Sequence, residues 1–126
     1  MTDASAGLHE HADQLEPETI DRHRAIASLM EELEAVDWYD QRVEAAGNAE
    51  LRAILEHNRD EEKEHAAMVL EWLRRHDKGF EKELRTYLFT DRPILKAEQG
   101  ATDEASTAPA GDGSLGIGSL KAETES

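Results

Sequence analysis

Proline and glycine punctuate this chain so sparsely that they set its architecture. After Pro17 neither residue recurs until Gly47. A proline suits a helix's first turn, where the N–H it lacks would have no partner. Gly47-Asn48 then supplies a stop and a new N-cap, and the next interruption is Asp77-Lys78-Gly79. The spacing predicts one long helix from Pro17 to Ala46 and a second from about Ala49 to His76. A shorter third segment, FEKELRTYLF, makes about two helical turns. No stretch alternates apolar and polar residues as a strand would, so the fold class is all-α: a two-helix antiparallel hairpin plus a short C-terminal helix.

This hairpin domain is expected over residues 17–96. Residues 1–16, MTDASAGLHEHADQLE, are polar and aperiodic and read as a mobile leader, with His9 and His11 as solvent-exposed tail residues. Beyond Pro93 the composition turns to Ala, Gly, Ser, Thr and acid, with five glycines between residues 100 and 118. Such a segment cannot repay the entropy of ordering, so 97–126 is expected to be a disordered tail. Acids outnumber bases 29 to 14 in the 126 residues, a net charge of −15. That charge argues against nucleic acid and anionic membrane surfaces and suits cationic partners or metal ions. The apolar runs are short and the N-terminal stretch acidic, so neither a membrane span nor a secretory signal is expected, and the expected location is the cytoplasm. With no cysteine in the chain, any metal must bind oxygen and imidazole.

On the first helix, Ile26, Leu29, Leu33, Val36, Asp40 and Val43 follow alternating steps of three and four, an expected packing seam. On the second, the same rule selects Leu51, Leu55, Asn58, Glu62, His65, Val69, Trp72 and His76. This seam turns polar in mid-helix, within the acidic stretch RDEEKEHAAM. A glutamate and a histidine on a seam must pair, change ionisation or hold a cation. Glu62 and His65 can pair across one turn. Folding back at Gly47-Asn48, however, also brings Glu32, beside Leu33, to nearly the same height. Three ligand-type groups then converge.

Ferritin-like di-iron proteins use one Glu from each of two helices and a Glu-x-x-His from each of the other two. Glu32, Glu62 and His65 are half of that set, and a two-fold dimer would supply them twice, completing a ferritin-like four-helix bundle around two metals. Carboxylates bridging two divalent ions, with imidazole favouring a transition metal, make iron the leading candidate. Tyr39, seven residues beyond Glu32 and next to Trp38, has two readings: an interface aromatic, or a hydrogen-bond donor or redox-active phenol beside the site. Glu31 and Glu34 either keep the helix soluble or attract cations towards the site. His57 and Glu61 are surface or interface residues.

The stretches SLMEELEAVDWYDQR and HNRDEEKEHAAMVLEWLRR resemble the encapsulated ferritins, short ferritin relatives carried inside encapsulin nanocompartments; the likeness covers about residues 19–95 and the tail. The resemblance implies that Glu32, Glu62 and His65 are ferroxidase ligands of a di-iron centre and that Trp38 and Tyr39 are aromatics beside it. It makes Glu31 and Glu34 accessory metal sites, open to other divalent cations. It also implies an annular homodecamer of five dimers. The tail segment GSLGIGSLK, residues 113–121, sets Leu115, Ile117 and Leu120 among glycines; by composition it is a flexible end, and by resemblance a targeting peptide for the encapsulin shell. The function so implied is a ferroxidase that oxidises Fe(II) for storage inside the shell. A non-catalytic metal buffer and a structural oligomeric adaptor are the alternatives.

Overall fold

The computed structural model describes residues 7–98, and among them it is wholly helical. Helix α1 spans Pro17–Ala45, α2 spans Ala49–His76 and α3 spans Lys78–Tyr87, with one-turn 3-10 segments at Ala12–Gln14 and Ile94–Lys96. They fall into two compact units, Met1–Lys82 and Glu83–Ser126. The first unit holds the α1–α2 hairpin. No described helix is long and apolar enough to cross a membrane. The expected tail segment 113–121 lies outside the described residues.

Each end of the hairpin has a local cause. Pro17 opens α1 behind an extended Glu16, whose carbonyl accepts from the Thr19 and Ile20 N–H groups at 3.0 and 3.1 Å. The helix closes one residue earlier than expected, at Ala45. Ala46 turns to φ −71°, ψ 127°, while its N–H still bonds the Arg42 carbonyl at 2.9 Å. Gly47 does not use the left-handed region that makes glycine a common helix stop. The Ala46 carbonyl is instead held by Arg52 of α2, through Nη2 at 2.7 Å and Nε at 3.2 Å. Asn48 then caps α2, its Oδ1 accepting from the Leu51 N–H at 2.8 Å. Arg52 and Asn48 thus satisfy groups that the two helix ends leave without partners inside the helix.

The break after α2 is narrower than expected. Asp77 alone leaves the helical region, at φ −146°, ψ 101°, and its Oδ1 accepts from the Phe80 N–H at 3.0 Å, so the residue ending α2 also caps α3. Lys78 and Gly79 are therefore inside α3, not in the stop. At the other end, the Leu88 N–H bonds the Leu84 carbonyl at 2.9 Å and Phe89 sits at φ 59°, a left-handed conformation uncommon outside glycine.

Two side-chain pairs fix the hairpin's direction. Asp40 Oδ1 lies 3.0 Å from Arg59 Nη1, and Glu32 Oε1 lies 3.7 Å from His65 Nδ1. Going back along α1 from 40 to 32 matches going forward along α2 from 59 to 65, so the helices run antiparallel. The seam on α1 differs from the expected one. Leu29, Val36 and Val43 do turn inward, but Ile26 and Leu33 are exposed by 46% and 54%, and Asp40 points out to Arg59. Glu32 and Tyr39 take the inward places instead of Leu33 and Asp40. On α2, Ala66 and Leu73 are the buried residues, whereas Leu51 is exposed. Ile26, Met30 and Leu33, at spacings of four and three, leave an apolar stripe on α1 open to solvent.

Candidate metal centre

The inward turn of α1 carries a carboxylate into the hairpin at the level where α2 presents an acid and an imidazole. Glu62 and His65 are three residues apart and share one face of α2. One ligand atom each from Glu32, Glu62 and His65 lies within 4.8 Å of the others. His65 Nδ1 stands 3.4 Å from Glu62 Oε1 and 3.7 Å from Glu32 Oε1. Both exceed the roughly 3.2 Å of a good N–H···O bond, so the Glu62–His65 pair is not a closed one. The side chains are partly withdrawn from water, Glu32 exposed by 26%, Glu62 by 25% and His65 by 44%.

The Glu32 carboxyl is pushed above its ordinary range, chiefly by its hydrogen-bonding contact with the Glu62 carboxyl. Partial burial and the Glu62 charge act in the same direction, and His65 opposes them. The cluster therefore has more acid than its one imidazole offsets. Two hard carboxylates and a borderline imidazole suit a divalent transition metal, whose charge would offset the repulsion between the two acids. Among the described residues they leave one side of the group open, with His65 still 44% exposed.

The other sequence-derived candidates are placed differently. Tyr39 is half-buried on the inward face of α1, and Trp38 is 43% exposed. Glu31 is exposed and Glu34 half-buried, and among the described residues neither joins a group of three ligand-type side chains. His57 Nε2 pairs with Glu61 Oε2 at 3.2 Å on the surface. His9 and His11 are exposed. Two arginines were not anticipated from the sequence. Arg59 bridges Asp40 of α1 at 3.0 Å and Asp60 of its own helix at 3.2 Å. Arg42 lies over the Tyr39 ring at 5.2 Å and the Trp38 ring at 5.9 Å from their centroids. The Trp38, Tyr39, Arg42 spacing of three and four is visible in DWYDQR, and was the signal available for the second.

A helical hairpin bearing one Glu on one helix and a Glu-x-x-His on the other carries half of the ligand pattern of ferritin-like carboxylate–histidine bundles. The chain belongs to the EncFtn-like family, whose model matches residues 7–91. It is 60% identical over 131 aligned positions to the encapsulated ferritin-like protein of Rhodospirillum rubrum, covering 98% of this chain and 94% of that protein. It is 53% identical over 112 positions to a ferritin-like protein of Thermotoga maritima, covering 89% of this chain and 96% of that one. A shorter likeness, 44% over 46 residues, covers 36% of this chain and 35% of an encapsulin nanocompartment cargo protein of Myxococcus xanthus. Its fold matches the crystal structure of a Nitrosomonas europaea protein with a TM-score of 0.68 and 65% identity, covering 70% of this chain and 97% of that one.

Proposed function

We propose that the chain is a ferroxidase whose di-iron centre forms between two copies, each contributing Glu32, Glu62 and His65, and that it supplies Fe(III) for storage inside an encapsulin shell. The observation that carries this is the one-sided cluster itself: three ligand atoms within 4.8 Å of one another, an excess of acid, and an open side. The exposed stripe of Ile26, Met30 and Leu33 beside Glu32 on α1 gives a second hairpin an apolar surface to cover. A two-fold contact would repeat the ligand set and complete the four-helix bundle. The names of the relatives, encapsulated ferritin-like and encapsulin cargo, support the same setting.

Fe(II) is the substrate. A pair of ions held by the two sets of Glu32, Glu62 and His65 would supply two electrons to dioxygen, avoiding the one-electron reduction that a single ion would perform. The chain's own contribution is to bring the acids together before the metal arrives, so that a cation relieves the repulsion between them. Tyr39, on the same face of α1 two turns from Glu32, serves as a hydrogen-bond donor beside the site. Glu31 and Glu34 draw Fe(II) and other divalent cations towards it through charge. The dimers assemble further into an annular decamer, and residues 113–121 address it to the shell within the cytoplasm.

The test is to mix anaerobic Fe(II) with the full chain, admit oxygen, and follow Fe(III) absorbance together with the subunit state. Oxidation with an oligomer supports the ferroxidase. Binding without oxidation identifies a metal buffer, and neither identifies a structural adaptor.

A further inference from the structure

Trp38 and Tyr39 are among the most easily oxidised side chains near the site, and one cation covers both. The Arg42 guanidinium carbon lies 5.2 Å from the Tyr39 centroid and 5.9 Å from the Trp38 centroid, within the reach of a cation–π contact. The contact follows from helix geometry, Arg42 being one turn beyond both rings. The chain's other tryptophan is arranged differently. Trp72 stacks on His76, with centroids 4.0 Å apart and planes 16° from parallel, and no arginine is described over its ring.

We propose that Arg42 is an oxidation guard, a fixed positive charge that makes electron loss from the Trp38 and Tyr39 rings less favourable and so keeps them from being consumed by oxidants formed near the site. The biological role rests on the ferroxidase reading; the electrostatic effect does not. Removing an electron from an aromatic ring leaves positive charge on it, and a guanidinium over the ring face opposes that charge while favouring the electron-rich ground state. An arginine suits this use because it stays charged at every working pH and lies flat on a ring. At a partly exposed site a cation–π contact changes an equilibrium by about two- to fivefold.

The experiment uses the full chain without iron and azide radical as the one-electron oxidant. The radical takes one electron from a ring and becomes azide, and the ring radical then releases its N–H or O–H proton to water. Oxidised Trp38 and Tyr39 are measured by peptide mass spectrometry, with Trp72 and Tyr87 of the same chain as internal references. Arg42→Met keeps the rings covered without charge, whereas Arg42→Lys keeps a cation. The expected result is a two- to fivefold rise in the Trp38:Trp72 and Tyr39:Tyr87 ratios in Arg42→Met, with a smaller rise or none in Arg42→Lys. Unchanged ratios in Arg42→Met, or equal rises in both variants, would overturn the proposal. A parallel arm with Fe(II) and dioxygen separates the two ideas. If the wild type fails to oxidise Fe(II), the ferroxidase reading fails, and the radical arm still decides whether Arg42 guards the rings.

Discussion

Helix α2 takes part in two clusters that each contain two glutamates, and they are resolved in opposite ways. Near its C-terminal end, Glu71 receives Arg74 in a two-pronged contact, Nε to Oε1 at 2.8 Å and Nη2 to Oε2 at 2.7 Å. Arg75 Nε adds a third contact at 2.7 Å. Together they hold the Glu71 carboxyl at about 2, well below the usual range, with Arg74 the larger cause. Arg74 also reaches Glu81 of α3 at 3.3 Å. In mid-helix, Glu62 meets Glu32 with His65 as the ion-pair partner among the described residues, and the Glu32 carboxyl moves the other way. The first cluster is complete within one chain. The second, among the described residues, sets one imidazole against two carboxylates, and that deficit, more than acidity as such, makes it a group that could hold a cation.

Removing the deficit's owners should have the largest effect. Glu62→Ala, Glu32→Ala and His65→Ala are each expected to lower Fe(II) oxidation by at least about tenfold, as loss of a ligand-sphere contact does, with the far-UV circular dichroism little changed. Full activity in any two of the three would show that the cluster does not bind the iron. Next comes assembly. Bringing four carboxylates together across a two-fold contact is unfavourable until cations neutralise them. Stripping metal with a chelator should therefore shift the particle to smaller species in light scattering, whereas an assembly indifferent to chelation would place the driving force in the apolar stripe alone.

The complete cluster should respond to pH and not to metal. The folded-state value of Glu71, about 2, lies below its ordinary 4.5. The stabilisation from its ion pairs is thus present above about pH 4.5 and lost as the pH falls through about 2. The difference in urea midpoint between the wild type and Glu71→Gln should be measurable at about pH 6 and shrink as the pH falls through about 2; a constant difference would point to packing. Arg74→Met, which removes a half-buried two-pronged contact, should cost about 1 kcal/mol in the same assay. The smallest effect is expected at the hairpin turn, where Asn48→Ala should cost roughly 1 kcal/mol or less and leave iron oxidation untouched. A loss of oxidation there would mean that the turn sets the register of the metal ligands.

The long helices were legible because Pro17 and Asn48 act through local backbone chemistry, which a sequence displays directly. The Glu32, Glu62 and His65 group was legible too, because an antiparallel hairpin with a known turn fixes which residues share a height. The seam of α1 was not. Ile26 and Leu33 are more apolar than Glu32 and Tyr39, so a rule that follows hydrophobicity assigns them to the hairpin's interior. The structure leaves them on a second apolar face, and when a helix serves two faces its pattern is the sum of both. Asp40 illustrates the same limit, since its partner Arg59 lies 19 residues away and nothing local announces the pair. At Asp77 the sequence offered three candidate breakers, and the side-chain cap to Phe80 singles out one.

The central claim is that the unneutralised cluster is half of a shared metal centre. Anaerobic native mass spectrometry of the full chain, titrated with Fe(II), tests it most directly, because it reads metal and subunits in one particle. The account predicts pairs of chains, or multiples of pairs, carrying two iron ions per pair, and neither bound iron nor stable pairing in Glu62→Ala. Iron held by single chains at full load, or an equal load in Glu62→Ala, would contradict it.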